Sequence, residues 1–320
     1  MRLLDLFSGA GGFAHGFISR NNCFDFILAI DIDSKSLETY CANIPNTKFL
    51  NMDIRNTHSL DILEHFEHVP PDIIIASPPC ESFTLANPNR QKSLYDQLYF
   101  DEVGRLILEA IRIIIDLNPK VFIIENVSQL ASTLMKEFVL YEFRRSNFET
   151  IFFNILEAEK YGVPSHRRRV FISNIEIKLP IDNSFVTVGE AFHSLPDPNI
   201  NLPNHKIVPL SPRIEKKILN TPPGGAIIFF KGSNNVTFRN YIRLEKSQLS
   251  PTVMGKSRFI HPSFPRLCTV RENARLMSYP DNFQFYGSLN SQFNQIGESV
   301  PPLLSKTIAQ QVLQKIYHNE

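Results

Sequence analysis

The feature that most constrains the fold is a short apolar run that two prolines end abruptly. The run Ile73-Ile74-Ile75-Ala76 predicts a buried strand. Pro78 and Pro79 end that strand, because proline lacks the amide hydrogen that a central strand needs. Cys80 follows directly, so we expect it on a stiff loop past the carboxyl end of the strand. In an open α/β sheet, ligands bind at this edge.

Cys80 has two readings. A free cysteine is more often a small buried apolar residue than a nucleophile. Here, however, rigid prolines precede the residue, polar Glu81, Ser82 and Thr84 follow it, and no second cysteine stands at metal-ligand spacing. We therefore interpret Cys80 as a covalent nucleophile.

The first residues of the chain predict a strand, a glycine turn and a helix. Arg2 to Phe7 is apolar enough for a strand, Ser8-Gly9-Ala10-Gly11-Gly12 follows, and a helical pattern extends to about Arg20. Glycines allow the backbone to approach a ligand, and helix amides face it. The spacing is not the dinucleotide fingerprint, and no P-loop lysine follows. By itself, the turn could equally be a tight strand-to-helix connection.

Acidic residues follow the next two predicted strands. Phe26 to Ile30 leads into Asp31-Ile32-Asp33, with a helix from about Ser34 to Asn43, and Phe49-Leu50-Asn51-Met52 leads into Asp53. Asp31 is placed to accept hydrogen bonds from ribose hydroxyls, and Asp53 suits an adenine amino group. Either acid could instead cap a helix. With the glycine turn, they indicate a nucleoside-bearing cofactor that needs no pyrophosphate, and S-adenosylmethionine fits that description.

Another carboxylate belongs to the same sheet edge as Cys80. A helical pattern over about Tyr95 to Leu117 is followed by the strand Val121-Phe122-Ile123-Ile124, which ends in Glu125-Asn126-Val127. Glu125 could be a core acid with satisfied hydrogen bonds. Burial without a cation would be unfavourable unless the carboxyl were protonated, and a protonated carboxyl can donate to a ring nitrogen.

Three consecutive arginines precede the last strand of the predicted sheet. A helix over about Gln129 to Ser146 leads to a hairpin-like pair of strands, Phe148 to Glu157 and Val170 to Ser173. Arg167-Arg168-Arg169 lie between them. Such a run is usually a solvated turn, but it also suits phosphates and the carbonyl oxygen of a pyrimidine.

The composition changes in the last third of the chain. Eleven of the 22 prolines fall between Lys178 and Pro265, and periodicity fades. From Lys160 to Arg275 the chain carries 18 Lys and Arg against 7 Asp and Glu, although the net charge of the whole is +1. We expect a small, irregular, mostly β unit that faces nucleic acid; a solvated basic face is the alternative. Beyond it, Val270 to Leu276 and a final segment ending near Tyr317 predict helices.

The cysteines and the chain start indicate a compartment. Cys23, Cys41, Cys80 and Cys268 are scattered without a C-x-x-C pair, which disfavours disulfides and zinc. The N-terminus lacks a signal-peptide pattern, and no apolar run approaches membrane-spanning length. We expect a reduced, cytoplasmic protein that is monomeric and binds neither membrane nor metal.

Six motifs in order resemble the DNA cytosine-5 methyltransferases. Only about Lys178 to Pro262 has no counterpart in the family pattern. The motifs are Asp5-Leu6-Phe7-Ser8-Gly9-Ala10-Gly11-Gly12, Pro78-Pro79-Cys80, Glu125-Asn126-Val127, Gly162-Val163-Pro164 with Arg167 and Arg169, Arg271-Glu272-x-Ala274-Arg275, and Gly297-x-Ser299-Val300-Pro301.

The resemblance implies an α/β fold: a Rossmann-like, S-adenosylmethionine-dependent methyltransferase sheet with a smaller, irregular, mostly β target-recognition domain. The catalytic domain would comprise residues 1–177 and 286–320, and the small domain 178–285. The resemblance makes Cys80 the nucleophile, with Glu125, Arg167 and Arg169 as the other catalytic residues. The residues that it assigns to S-adenosylmethionine are Phe7, Ser8, Gly9, Gly11, Gly12, Asp31, Ile32, Asp53, Ile54, Pro78, Glu298 and Ser299.

Three positions depart from the family pattern. Glu81 stands where glutamine commonly follows the cysteine, Ser165 replaces a glutamine, and Glu298 replaces an asparagine near the cofactor. The two acids add negative charge near the reaction site, so we expect them to raise the pKa of Cys80.

The implied function is sequence-specific methylation of cytosine C5 in double-stranded DNA, through a covalent bond between Cys80 and C6 and within a restriction–modification system. A transfer-RNA cytosine-5 methyltransferase and a catalytically weak or silent DNA-binding homologue remain alternatives. Amino methyltransferases are disfavoured, because their Pro-Pro loop ends in an aromatic residue whereas Cys80 stands here.

Overall fold

The computed structural model describes residues 1–19, 23–181, 185–198 and 200–318. Over these residues the strands form a seven-stranded sheet, ordered β3-β2-β1-β4-β5-β7-β6, and a three-stranded sheet, ordered β10-β9-β8. The strands are β1 (Arg2–Leu6), β2 (Phe26–Asp31), β3 (Thr47–Asn51), β4 (Ile73–Ala76), β5 (Val121–Val127), β6 (Phe152–Glu157), β7 (Arg168–Ser173), β8 (Ala226–Lys231), β9 (Thr237–Arg243) and β10 (Phe259–Ile260).

Helices connect most of the strands. They are α1 (Gly12–Ile18), α2 (Ser34–Asn43), α3 (Ser59–His65), α4 (Leu94–Tyr99), α5 (Leu106–Leu117), α6 (Thr133–Glu142), α7 (Val188–Phe192), α8 (Pro212–Leu219), α9 (Val270–Leu276), α10 (Leu289–Glu298) and α11 (Pro302–His318). Among the described residues, the helices are all too short or too polar to cross a bilayer.

The order in which strands are added to the large sheet reverses at β1. Strands β1 to β5 are parallel, with β2 on one side of β1 and β4 on the other. β7 runs antiparallel to both β5 and β6. In such a sheet a crevice opens at the carboxyl ends of the strands where the order reverses. The glycine turn after β1 and the loop of Cys80 after β4 both lie at that edge.

Each face of the large sheet packs against its own layer of helices. Successive side chains of a strand point to opposite faces. Leu4 therefore joins the apolar cluster that includes Ile111 of α5, whereas Leu3 joins the cluster that includes Phe17 of α1 and Val312 of α11. The α/β layer architecture implied by the resemblance is confirmed.

The last helix covers the first one. The Ser305 hydroxyl of α11 donates to the backbone carbonyl of Phe13 in α1. At the start of α1, a Cβ on Gly12 would lie 2.6 Å from the Val300 carbonyl and 3.1 Å from the Ser299 Cβ. Glycine is required here because the segment before α11 passes directly over the backbone of the glycine turn.

The small sheet belongs to a third apolar cluster. This cluster joins Ile242 of β9 and Phe259 of β10 to Val188 of α7, Ile218 of α8 and Leu276 of α9. The exposed positions of the small sheet lie on β8 and the first half of β9. The domain boundaries at 178 and 285 stay a prediction.

The predicted helix over about Tyr95 to Leu117 is wrong as one element. It is two helices, α4 and α5, separated at residues 100–105. The Asp101 carboxylate accepts hydrogen bonds from the backbone amides of Val103 and Gly104 and from the Ser82 hydroxyl. These bonds hold a turn in place of helix, because Asp side chains compete for backbone donors.

Other predicted elements differ in their limits. The helix over about Gln129 to Ser146 is interrupted at Ser132, where the backbone is extended, so that α6 follows a short 3₁₀-helix. The strand expected from Phe148 begins at Phe152. α10 was not predicted, and the expected end of α1 near Arg20 lies outside the described residues.

Candidate active site

The loop of Cys80 turns sharply after β4. The Cys80 carbonyl accepts hydrogen bonds from the amides of Phe83, at 3.1 Å, and Thr84, at 3.2 Å. The Asn126 side chain of β5 donates to the Pro78 carbonyl at 3.0 Å. The loop is therefore fastened to the neighbouring strand as well as to itself, and the half-buried thiol of Cys80 is free.

Glu125 lies on β5 beside this loop, in a pocket that it shares with arginines. The residue is 5% exposed. Its Oε1 lies 3.1 Å from Arg169 Nε and 3.8 Å from Arg167 Nη2. Two guanidinium groups thus compensate the charge of a buried carboxylate, a charge that would be strongly unfavourable without them. We call Cys80, Glu125, Arg167 and Arg169 the cysteine pocket.

The arginine run divides at the start of β7. Arg168 is exposed, while Arg167 is 2% exposed and Arg169 is mostly covered. Burial, followed by repulsion from Arg169, lowers the pKa of Arg167 to about 9, and Glu125 acts in the opposite direction. Because two of the three arginines point into the protein, the run is not a solvated turn.

Arg167 also ties the pocket to two distant segments. Its Nη1 donates to the carbonyl of Val253 at 3.3 Å and to that of Gly297, in α10, at 3.1 Å. The preceding Ser165, one of the departures from the family pattern, is fully buried and forms a backbone bridge with Ser250. Residues 250–254 and α10 are therefore held against the cysteine pocket.

The pKa of Cys80 is raised, and the main cause is burial. Arg169 opposes this increase, Glu125 adds to it, Arg167 opposes it, and Glu81 adds a smaller amount. The direction expected from the sequence is confirmed, but the main cause is not the extra acids. The thiol is protonated at neutral pH until a proton acceptor or a bound partner changes its surroundings.

The glycine turn forms an open cradle next to Asp31. Phe7 and Gly9 have positive φ angles of 54° and 51°. The Gly9 amide donates to Asp31 Oδ2 at 2.7 Å, and a Cβ on Gly9 would meet no atom within 4 Å. The Ser8 hydroxyl is buried and has no hydrogen-bond partner. Gly9 and Ser8 thus border space in which a ligand could satisfy polar groups.

Asp31 and Asp53, the two acids predicted to bind the cofactor, differ in their hydrogen bonds and ion pairs. Asp31 accepts from the amides of Gly9 and Asp33, and burial raises its pKa. Asp53 caps the short helix at Ile54–Asn56 through the amide of Arg55 and also pairs with the Arg55 guanidinium. The helix-cap alternative thus describes Asp53 but not Asp31. A ligand would have to share Asp53 with Arg55.

The other predicted cofactor residues differ in exposure and in packing. Ile32, directly after β2, is 67% exposed, which is unusual for an isoleucine beside a sheet, whereas Ile54 is buried. A Cβ on Gly11 would meet the side chains of Tyr40 and Ile44, so this glycine, like Gly12, serves packing of the protein. Their contacts with a cofactor stay predictions.

Glu298, at the end of α10, has an exposed side chain near Glu81 and Asp31. Partial burial, followed by the charges of Glu81 and Asp31, raises its pKa to about 7. Asp33 acts in the same direction, and Lys256 opposes the increase. We call Asp31, Asp33, Glu81 and Glu298 the acidic rim.

These groups fit S-adenosylmethionine better than a phosphate-bearing nucleotide. The open cradle at Gly9, the unpartnered Ser8 hydroxyl and the exposed Ile32 offer amide, hydroxyl and apolar contacts to a nucleoside. The acidic rim would repel phosphate groups and attract a cation. The donor set therefore agrees with the cofactor that the sequence predicts.

Sequence reasoning missed two residues that hold the loop of Cys80. Asp101 binds the Ser82 hydroxyl, and Ser233 donates to the Leu85 carbonyl through its amide at 2.9 Å and its hydroxyl at 3.1 Å. Ser233 follows β8, so the small sheet contacts the loop directly. Asp101 could have been suspected, since an acid three residues before Gly104 is typical of a turn. Ser233 carries no local signal.

Comparison with known proteins gives a consistent family. The model of the C-5 cytosine-specific DNA methylases matches residues 1–221 and 230–314. A protein of Methanocaldococcus jannaschii, provisionally named type II methyltransferase M.MjaORF1200P, is 39% identical over 99% of both chains. The type II methyltransferase M1.HphI of Haemophilus parahaemolyticus is 32% identical over 99% of this chain and 87% of its own length.

A solved structure shares the fold. It is provisionally described as a DNA modification methyltransferase encoded within an E. coli prophage. It superposes with a TM-score of 0.78 at 22% identity and covers 99% of each chain. At this identity the likeness concerns the fold alone.

Proposed function

The chain belongs to the C-5 cytosine-specific DNA methylase family, and we propose that it methylates C5 of a specific cytosine in double-stranded DNA within a restriction–modification system. The observation that carries the proposal is the cysteine pocket. A free thiol stands past β4, beside a buried glutamate and two arginines, at the edge where the glycine turn opens. The arrangement suits covalent activation of a pyrimidine ring.

Cys80 begins the proposed reaction. The thiol first gives its proton to a base, and the resulting thiolate forms a bond to C6 of cytosine, so that the electron pair of the C5–C6 double bond makes C5 nucleophilic. S-adenosylmethionine, when bound, would supply a methyl group to C5 from its positively charged sulfur. A base then removes the C5 proton, the double bond reforms, and the sulfur of Cys80 leaves C6 as thiolate. Reprotonation of the thiolate returns the chain to its starting state.

Glu125 and Arg169 hold the ring during this sequence. The Glu125 carboxyl, protonated when the base is bound, donates to N3 and accepts from the exocyclic amine. Arg169 donates to the O2 carbonyl oxygen, and its positive charge also favours the thiolate of Cys80. Arg167 keeps Glu125 in place through its buried guanidinium.

The cofactor would be held by the residues around the glycine turn. The ribose hydroxyls would bind Asp31, the adenine amino group would bind Asp53, and Ile32 and Ile54 would contact the adenine ring. The backbone amides of the glycine turn and the Ser8 hydroxyl would bind the remaining polar groups of the cofactor. The residues of the turn are Phe7, Ser8, Gly9, Gly11 and Gly12, and Pro78, Glu298 and Ser299 would contact the cofactor from the opposite side.

Segment 178–285 would read the DNA sequence. Its positive charge balances the phosphate backbone, and the contact between Ser233 and Leu85 joins it to the loop of Cys80. The target cytosine would leave the duplex to reach the buried pocket, which requires a few kcal/mol of unstacking energy. A flipped base is therefore part of the proposal.

Bisulfite sequencing of DNA from cells that express the chain tests the proposal. We expect protected cytosines within one recurring sequence, absent when Cys80→Ala is expressed. DNA that contains 5-fluorocytosine in that sequence should form a stable adduct, because the fluorine at C5 cannot leave as a proton does. No adduct and no methylation would indicate a silent DNA-binding protein. Methylation of transfer RNA alone, in a parallel assay, would indicate an RNA enzyme.

A further inference from the structure

Glu298 occupies a position that is unfavourable for an acid. It is the last residue of α10. The carboxyl end of a helix carries a partial negative charge, so acids are disfavoured there and cations are preferred. Nothing in α10 itself explains why a glutamate stands there. Residues that contradict a local structural preference are often found at functional sites.

The neighbours of Glu298 place it between the glycine turn and the cysteine pocket. The carbonyl of the preceding Gly297 accepts a hydrogen bond from Arg167 at 3.1 Å. The following Ser299 lies against Gly12, where an ideal Cβ would be 3.1 Å from the Ser299 Cβ. One flanking residue is thus fixed from the side of the nucleophile and the other from the side of the cofactor.

The Glu298 side chain is exposed, and one side of its carboxylate lies against the backbone of Gly255. A Cβ on Gly255 would lie 2.8 Å from Glu298 Oε1. The charged groups that face Glu298 are Glu81 from the loop of Cys80, Asp31 and Asp33 from the end of β2, and Lys256 beside Gly255. Negative groups outnumber positive ones, and a bound cation would relieve their repulsion.

We propose that the Glu298 carboxylate selects the positively charged methyl donor over the uncharged thioether that remains after methyl transfer. The inference rests on the proposed function. The donor carries one more positive charge than the product, because its sulfur has three carbon substituents and loses the charge with the methyl group. A carboxylate between the two pockets favours the donor before the reaction and no longer holds the product afterwards.

A pH dependence follows from this role. The raised pKa means that Glu298 is largely protonated below about pH 7 and ionised above it. A cationic ligand lowers that pKa, so donor binding near neutrality releases a proton. Product binding releases less, because the thioether brings no new charge. The preference for donor over product should therefore grow as pH rises through about 7.

The direct test measures two dissociation constants, for S-adenosylmethionine and S-adenosylhomocysteine, between about pH 6 and about pH 8.5. Their ratio is the relevant quantity, because both ligands share an α-amino group whose titration cancels. In the unmodified protein we expect the preference for the donor to increase about tenfold across this range. In Glu298→Gln the ratio should be nearly independent of pH. Glu137→Gln, on the exposed side of α6, is the matched control and should behave as the unmodified protein.

A second measurement needs no variant. Isothermal titration calorimetry near pH 7, in buffers with different ionisation enthalpies, gives the number of protons released on binding. We expect greater release with the donor than with the product. Equal proton release for the two ligands overturns the inference. So does a Glu298→Gln protein that binds both ligands and whose ratio of dissociation constants depends on pH as it does in the unmodified protein. Both outcomes leave the proposed function intact. Failure of the unmodified protein to bind either ligand contradicts the proposed function itself.

Discussion

In the cysteine pocket, Glu125 is buried with two guanidinium groups within 4 Å, whereas in the acidic rim Glu298 feels the charges of Glu81, Asp31 and Asp33, opposed by Lys256. The buried carboxylate of the pocket already has cationic partners before a substrate arrives. In the described part of the chain, the carboxylates of the rim lack such partners and would gain one from a cationic ligand. A neutral pyrimidine suits the first environment and a sulfonium ion suits the second, so the difference in charge separates the two proposed binding partners.

The two regions also differ in their supports. Glu125 and Arg169 stand on neighbouring strands of the sheet, and Arg167 directly precedes one of them. The rim is assembled from a strand end, the loop of Cys80 and the end of α10. Groups on strands are held more rigidly than groups on loops. We therefore expect substitutions in the pocket to have the larger effects.

Replacing the nucleophile should have the largest effect. Cys80→Ala is expected to lower the rate of methyl transfer by about a thousandfold or more, because the covalent route is lost. Donor affinity should be unchanged, since the thiol belongs to the pocket and not to the rim. Tritium transfer to DNA and calorimetric titration measure the two quantities. Cys23→Ala, at the opposite edge of the sheet, is the control, and equal loss in both variants would refute the assignment.

Breaking the charge balance of the pocket should destabilise the fold. Glu125→Gln leaves Arg167 and Arg169 without their carboxylate, and we expect a decrease of about 3 kcal/mol in the free energy of unfolding. Urea denaturation measures this change. Asp31→Asn is the corresponding change in the rim. It should have much less effect, because burial raises the pKa of Asp31 and its charge is already unfavourable. Similar losses in both variants would show that the two regions do not differ.

The rim should make stability depend on pH. The pKa of Glu298 is raised to about 7 in the folded protein, above its value in the unfolded chain. Its contribution is therefore most favourable when the group is protonated, below about pH 5, and is lost as pH rises to about 7. Glu298→Gln should match the unmodified protein at about pH 5 and be more stable at about pH 8, by about 1 kcal/mol after solvent screening. Thermal unfolding at both pH values tests this, and a variant that is less stable at high pH would contradict it.

The smallest effect should come from freeing Asp53. Arg55→Gln removes an ion pair whose guanidinium is exposed, so its effect on the free energy of unfolding should be small. The released carboxylate should bind an adenine amino group better, by about twofold to threefold in donor affinity. Lys178→Gln, which removes the exposed pair with Glu176, controls for the loss of a surface charge. Weaker donor binding in Arg55→Gln would mean that Arg55 itself holds the ligand.

Much of the large sheet could be predicted from local pattern. β1, β2, β4 and β5 are short apolar runs that end in polar residues, and the structure has each of them close to its expected limits. The division of α4 from α5 could not be predicted, because it depends on Asp101 accepting the Ser82 hydroxyl from a loop about twenty residues earlier in the chain. Apolar periodicity alone continues through the break.

The candidate site divides in the same way. The pairing of Glu125 with Arg169 follows from register, since their strands are neighbours and β7 begins at the arginines. The bond from Arg167 to Gly297 joins residues 130 positions apart and carries no sequence pattern. The sequence left two roles open for Asp53, a helix cap or a ligand of the adenine amino group. The structure shows the cap, because the Arg55 amide donates to the Asp53 carboxylate.

The close fit of Gly12 beneath Ser299 and Val300 has a consequence for biosynthesis. The ribosome makes the glycine turn long before it makes the segment that covers it. The proposed methyl-donor cleft therefore cannot assume its final shape on a nascent chain that lacks residues 299–305. A polypeptide released from the ribosome before that point would hold most of the sheet and yet lack a complete site for the proposed reaction.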